Sequence, residues 1–300
     1  MRTLAQIIAI VCTLCQAPGA WPEIRMKDNT GTTVLLKTPA QRIVSLAPHI
    51  TESLFAIGAG NRIVGTVSYS DYPQEALKIP VIGGYNRINP ETVVALQPDL
   101  VIAWREGNSP ETIDHLRALG LTVFVTDPRR LNDIPNTLRD FSELTGMIKT
   151  GYLAAQKFAD GLQALHLEYE DKTPVSLFYQ VWASPLMTIN GDNLIADVIT
   201  LCGGKNVFAH AIPTHPLVST ESVLHADPQL IIASGMGEER PDWLDAWREW
   251  PLRAARNHHL YFIPPSLLQR HSTRILNGAE TMCAYIDGVR NFYARQVLPK

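Results

Sequence analysis

Between Ile88 and Trp104 the chain reads INPETVVALQPDLVIAW, and between Val218 and Ser234 it reads VSTESVLHADPQLIIAS, the same pattern 130 residues later. Each copy has apolar residues at helical spacing, a turn containing Asp and Pro, and an unbroken β-branched run suited to a strand buried on both faces. Glu91 falls on Glu221, Pro98 on Pro228, Leu100 on Leu230 and Ala103 on Ala233. A second pair, LFAIGAGNRIVG from Leu54 and VITLCGGKNVFA from Val198, predicts in each half an apolar helix closed by C-cap glycines. Gly58-Ala59-Gly60 is therefore no dinucleotide fingerprint, because that motif opens a helix and this one closes it.

The pattern predicts an α/β protein of two Rossmann-like lobes, over residues 41–146 and 173–300, with a ligand cleft between them. Residues 147–172 contain no proline, and Ile148, Tyr152, Ala155, Phe158, Leu162, Leu165 and Tyr169 draw one stripe at steps of three and four. One continuous helix of about 37 Å follows, at 1.5 Å per residue. A hydrogen-bonded rod joining the lobes resists hinge bending, so the cleft should change little when it fills.

The first residues change the setting. Met1-Arg2 precedes an apolar stretch from Leu4 to Leu14 and small residues before Ala17 and Ala20, which predicts a secretory signal peptide over 1–20. Cys12 follows Val11 and Cys15 follows Leu14, neither of which is a lipoprotein context. Export leaves two cysteines, Cys202 and Cys283. In an oxidising compartment they should form one disulfide, worth roughly 4 kcal/mol by loop entropy; two separate buried thiols are the alternative.

Composition narrows the class further. The 300 residues are 46% hydrophobic, ample for a core, and 26 Lys+Arg against 29 Asp+Glu gives a net charge of −3 with no long run of either sign. No polybasic surface for nucleic acid or acidic lipid is present. The chain has no GxxxxGK[ST], HExxH, GxSxG or CxxC motif, and a solute receptor fits better than an enzyme. A secreted hydrolase using His215 or His271 with a Ser or Cys nucleophile is the rival from another class.

The stretches RIVSLAPHITESLFAIGAG, VSYSDYP from Val67, PETVVALQPDLVIAWREGN from Pro90, PLMTING from Pro185 and LCGGKNVF from Leu201 resemble the periplasmic binding proteins of cobalamin (vitamin B12) ABC importers. The resemblance runs from about Gln41 to Ala284. It implies a periplasmic receptor without turnover and without a cofactor, cobalamin being its transported ligand, which it hands to a membrane permease dimer driven by a cytoplasmic ATPase. The same two-lobe plan serves receptors for haem and ferric siderophores, which stand as the alternative ligands.

A corrin is a broad disc with apolar faces and a rim of amides, so its cleft needs aromatic walls and neutral or cationic edge groups. Tyr69 in SYSDYP is the leading candidate, and the resemblance places the family's cleft tyrosine in the same motif. Tyr85, Trp104 and Pro48 complete the first-lobe set. The second lobe departs from the family pattern: His215-Pro216 stands where the cobalamin receptors have tryptophan, and Ser266-Leu267-Leu268-Gln269-Arg270 stands where they have an Asp-aromatic-aromatic run before arginine. Trp182 and Gln269 would compensate, with Ser266 and Arg270 beside them, and His215 either approaches the cobalt or is a polar loop residue.

For an anionic chelate, Arg87, Arg105 and Arg270 would form a basic cleft unless they pair with acids or reach solvent. His49, His115 and His215 lack the spacing of a metal site, and none is expected. Glu91 and Glu221 are first-turn acids that suit a helix dipole. The resemblance adds a second role, docking on arginines of the two permease subunits.

Overall fold

The computed structural model describes residues 23–235 and 237–297. The expected signal peptide, with Cys12 and Cys15, lies outside the described residues. The described residues begin with an antiparallel hairpin, β1 (Ile24–Lys27) and β2 (Thr33–Leu36), whose turn is held by Asp28. There follow β3 (Ile43–Ser45), α1 (Pro48–Ala56), β4 (Ile63–Gly65), a small hairpin of β5 (Gly83–Gly84) and β6 (Arg87–Ile88), α2 (Pro90–Ala95), β7 (Leu100–Trp104), α3 (Pro110–Ala118), β8 (Val123–Thr126) and α4 (Asp133–Thr145).

After α5 (Ile148–Tyr169) come β9 (Val175–Gln180), the β10 (Trp182–Ala183) and β11 (Leu186–Met187) hairpin, α6 (Leu194–Leu201), β12 (Gly204–Asn206), α7 (Thr220–Ala226), β13 (Leu230–Ala233), α8 (Arg253–Arg256), β14 (Leu260–Phe262), α9 (Pro265–Leu268) and α10 (Ile275–Val297).

The repeat in the sequence is a repeat in topology. One parallel sheet has the order β4-β3-β7-β8 and the other β12-β9-β13-β14, so each sheet puts the first of its four strands between its second and third. Leu100 pairs with Ile43 in one sheet and Leu230 with Leu177 in the other. The β-branched runs are buried along both central strands, as expected where helices cover both faces of a parallel sheet. The glycine expected after each paired helix sits in the left-handed region, at φ 88° for Gly58 and 68° for Gly203.

The connecting helix is shorter than the 147–172 rod read from the sequence. It has 22 residues, about 33 Å long, and closes with Glu170 as its C-cap. Its buried stripe of Ala155, Phe158, Leu162, Leu165 and Tyr169 belongs to one apolar core that contains Ile43 and Leu100 of the first lobe and Val175 and Leu230 of the second. The lobes are thus joined by a shared core. Separate apolar clusters lie on the far face of each sheet, around Val101 and around Ile231.

Cys202, the residue after α6, is bonded to Cys283 in α10, across 81 residues. Among the described residues no helix is long and apolar enough to cross a membrane.

Candidate ligand cleft

The loops after the carboxyl ends of the two sheets meet, and this junction gathers most of the residues singled out in the first lobe. β3 leads into α1, where Pro48 occupies the first helical turn with the fixed φ that position favours, and Ala47 provides no side-chain cap. The next residue, His49, is buried. Its ring lies 5.1 Å from that of Trp104, at the end of β7, and 5.4 Å from His271 of the second lobe. Trp104 also meets His271 at 5.6 Å and Tyr85 at 6.1 Å.

Asn108 fixes this nest from behind. Its Oδ1 accepts from the Trp104 backbone N–H at 2.7 Å, while its Nδ2 donates to the carbonyls of Leu46 at 3.0 Å and Tyr85 at 2.6 Å. Three strand-end segments are thereby tied to one buried amide. His49 Nε2, Trp104 Nε1 and His271 Nδ1 are all enclosed and have no hydrogen-bond partner among the described residues.

Tyr69 lies at the lip. Its φ of 68° is in the left-handed region, uncommon for a bulky residue and a form of strain that concentrates at binding sites. Ser68 holds the turn by donating its N–H and its Oγ to the Gly83 carbonyl, at 2.8 and 3.2 Å. The phenol ring consequently projects outward, 72% exposed.

The second-lobe candidates are more scattered. Trp182 is 40% exposed on the β10–β11 hairpin, with Nε1 donating to the Ser184 carbonyl at 2.9 Å. His215 is exposed on a neighbouring loop, which reaches the hairpin through the Met187–Leu217 bridge and the Thr188 N–H to Pro216 carbonyl bond. Ile212, 96% exposed, and Leu217, 61% exposed, flank it. The motifs did not single out these two apolar residues, which lie in no regular element.

Three of the expected ligand contacts have other engagements. Ser266 is buried and donates its hydroxyl to Glu238 Oε2 at 2.6 Å. Gln269 donates Nε2 to the Ser234 carbonyl at 2.7 Å, which leaves its oxygen free of that bond. Arg270 crosses between lobes: Nη1 donates to Glu52 Oε1 at 2.7 Å and to Asp71 Oδ1 at 2.6 Å. Glu52 also accepts from Arg274 at 3.1 Å and from Ser272 Oγ. Arg274 in turn sits 4.1 Å above the Tyr72 ring.

Sequence reasoning missed Glu52, although a carboxylate on the buried face of HITESLFA signals a cationic partner elsewhere. Arg105 is half-exposed and 3.8 Å from Asp127, and Arg87 is exposed with no carboxylate partner among the described residues.

Burial dominates the titration of the nest. It lowers His49 well below the ordinary histidine range, with nearby His271 and Arg270 adding to the effect, and it holds His271 at about 4. Partial burial opposes the charge of Asp71, but the Arg270 hydrogen bond and charge outweigh it and keep this carboxyl below its usual range.

Glu91 and Glu221 occupy equivalent first turns, both exposed. Asn89 Oδ1 caps α2 through the Glu91 N–H at 3.0 Å, and Ser219 Oγ caps α7 through the Ser222 N–H at 3.2 Å. Hydrogen bonds from its own backbone and from Ser219 lower the Glu221 carboxyl. A hollow of about 690 Å³ lies elsewhere, between α5, α6 and the loop before α4; Arg130 on its wall is already paired with Asp197 and Asp192.

The family model described as periplasmic binding protein matches residues 43–267. The vitamin B12-binding protein of Vibrio cholerae is 36% identical over 250 residues, 83% of this chain and 90% of that protein. A crystal structure of the periplasmic vitamin B12 binding protein BtuF of Vibrio cholerae superposes with a TM-score of 0.77 at 34% identity, over 84% of this chain and 98% of that one. The periplasmic heme-binding protein RhuT of Roseiflexus sp. RS-1, at 24% identity and a TM-score of 0.76 over 84% of this chain and 99% of that one, shares the fold.

Proposed function

The chain belongs to the periplasmic binding protein family, and from that premise we propose that it captures cobalamin between its lobes and delivers it to the permease of an ABC importer. The observation that carries the reading is Tyr69, exposed in a left-handed turn that Ser68 ties to Gly83, two residues before the Tyr85 that meets the Trp104 ring. A mostly exposed ring on a constrained backbone is a wall awaiting a partner, and a flat apolar face is what it packs against best. Its family, and relatives named for vitamin B12 binding along most of the chain, support the same ligand.

On this reading the disc lies between Tyr69, Tyr85 and Trp104 with Pro48 on one lobe, and Trp182, Gln269 and the His215 loop on the other. The protein has no turnover of its own and requires no cofactor. It works in the periplasm, to which residues 1–20 would direct it. Glu91 and Glu221, exposed at equivalent helix starts, would dock on the two permease subunits. The hydrolase alternative lacks support, since among the described residues no histidine hydrogen-bonds a serine or cysteine and both cysteines outside the expected signal peptide are oxidised.

Spectral titration with cyanocobalamin alongside a panel of ester substrates tests the reading. A saturable shift of the corrin absorption without ester turnover is expected; ester hydrolysis with no corrin shift would refute it.

A further inference from the structure

The junction between the lobes holds two arginines that could attract an anionic ligand, yet both are neutralised within the protein. Arg270 is only 12% exposed at its side chain and lies against Glu52 and Asp71; Arg274, 20% exposed, shares Glu52, which is 1% exposed. Two cations thus face two carboxylates across the lobe boundary. The cluster borders the cleft on both sides: Asp71 is two residues from Tyr69, and His271, next to Arg270, packs on Trp104.

The other groups there are uncharged donors and acceptors: the His49 and His271 imidazoles, kept neutral by burial, and the Trp104 indole N–H. Arg87 and Arg105 are left, both exposed to solvent, and a solvated cation contributes little to binding.

We propose that Glu52 and Asp71 determine ligand specificity: by neutralising Arg270 and Arg274 they leave the cleft without net positive charge, so that it takes a tetrapyrrole whose rim carries amides and rejects one whose rim carries carboxylates. This rests on the cobalamin reading and extends it to the basis of discrimination among ligands of similar size and flatness. The physical ground is the asymmetry between neutral and charged edges. An amide edge is satisfied by neutral donors and acceptors, whereas a carboxylate brought beside Glu52 and Asp71 meets like charge and loses its hydration without gaining a free cation. Removing one of the two acids frees half of an arginine fork, the group best matched to a carboxylate.

The test compares cyanocobalamin with dicyanohaemin, whose axial positions are both occupied, so that no open coordination site enters; the nucleotide tail of cyanocobalamin is the same in every titration, and the change in affinity ratio between variants is what is read. Affinities are measured for the parent chain, Asp71→Asn, Glu52→Gln and the double variant Asp71→Asn with Arg270→Gln. The parent should favour cyanocobalamin by roughly a hundredfold or more. Each acid-to-amide variant should shift the affinity ratio toward dicyanohaemin by about tenfold or more, in a salt-dependent manner, and removing Arg270 as well should restore the parent ratio. Asp71 is exposed enough that Asp71→Asn keeps the experiment decisive should Glu52→Gln fail to fold.

A parent that prefers cyanocobalamin with a ratio that does not move in the variants overturns the proposal and leaves the cobalamin reading standing. A parent that prefers dicyanohaemin, or binds neither, overturns both.

Discussion

Arg270 donates to Glu52 at 2.7 Å across 218 residues of chain, linking the last turn before α10 to the buried face of α1. Both lobes contribute to this ion pair, and Arg274 and Ser272 complete it. Removing one member of a buried charge cluster strands the others, which typically costs about 3 to 5 kcal/mol. Glu52→Ala should therefore lower the unfolding free energy by that amount in a urea titration. A loss below about 1 kcal/mol would mean that the cluster is solvated and contributes little to holding the lobes together.

The buried imidazoles predict a direction of pH dependence. His271, with a folded value of about 4, stays neutral where an unfolded histidine takes up a proton near 6.5, and His49 is displaced in the same direction. Between those limits the unfolded state binds more protons, so the contribution is fully present above about pH 6.5 and is lost as the pH falls toward 4. For His271 the loss amounts to about 3 kcal/mol. Thermal unfolding at pH 7.5 and 4.5 should show this decline, and His271→Gln should flatten it; an equal decline in both proteins would assign the effect to carboxylates instead.

The Cys202–Cys283 bond closes 81 residues between the end of α6 and the middle of α10. By chain entropy its reduction should destabilise the protein by about 4 kcal/mol. Guanidinium unfolding with and without reductant measures the difference, and superimposable curves would show that the bridge constrains nothing that the core does not already hold.

Tyr69 and Trp104 carry the aromatic surface of the first lobe. Truncating either to Ala should weaken cobalamin binding by about 1 to 3 kcal/mol, from the apolar area lost. Calorimetry of the two variants decides the matter: unchanged affinity in both would move the ligand away from these strand ends.

Glu91 and Glu221 separate capping from docking. Reversing both to Arg leaves the Asn89 and Ser219 caps in place, so the fold should persist and cobalamin affinity should stay within about twofold. Uptake and co-purification with the permease should disappear. Normal uptake would leave these acids with a helix-dipole role alone.

Much of this architecture was legible along the chain. Buried parallel strands read as unbroken runs such as LVIA and LIIA, and their recurrence fixed the two-lobe plan, while the stripe from Ile148 to Tyr169 marked the connecting helix. What stayed hidden is spatial. Whether Arg270 is paired stayed open along the chain because its partners lie 218 and 199 residues away, and no local pattern pairs them. Ser266 followed from its place in a family motif, whereas Glu238, the group it serves, is in a loop without regular pattern. The His49, Trp104 and His271 nest arises only when three strand-end segments converge. Tyr69 was visible by its motif, but its left-handed backbone was not.

Calorimetric titration of the purified mature chain with cyanocobalamin, haemin and a ferric siderophore side by side tests the central claim most directly. The account predicts one saturable site that takes cyanocobalamin far more tightly than the other two. Tighter binding of haemin or the siderophore, or no heat with any of the three, would contradict it.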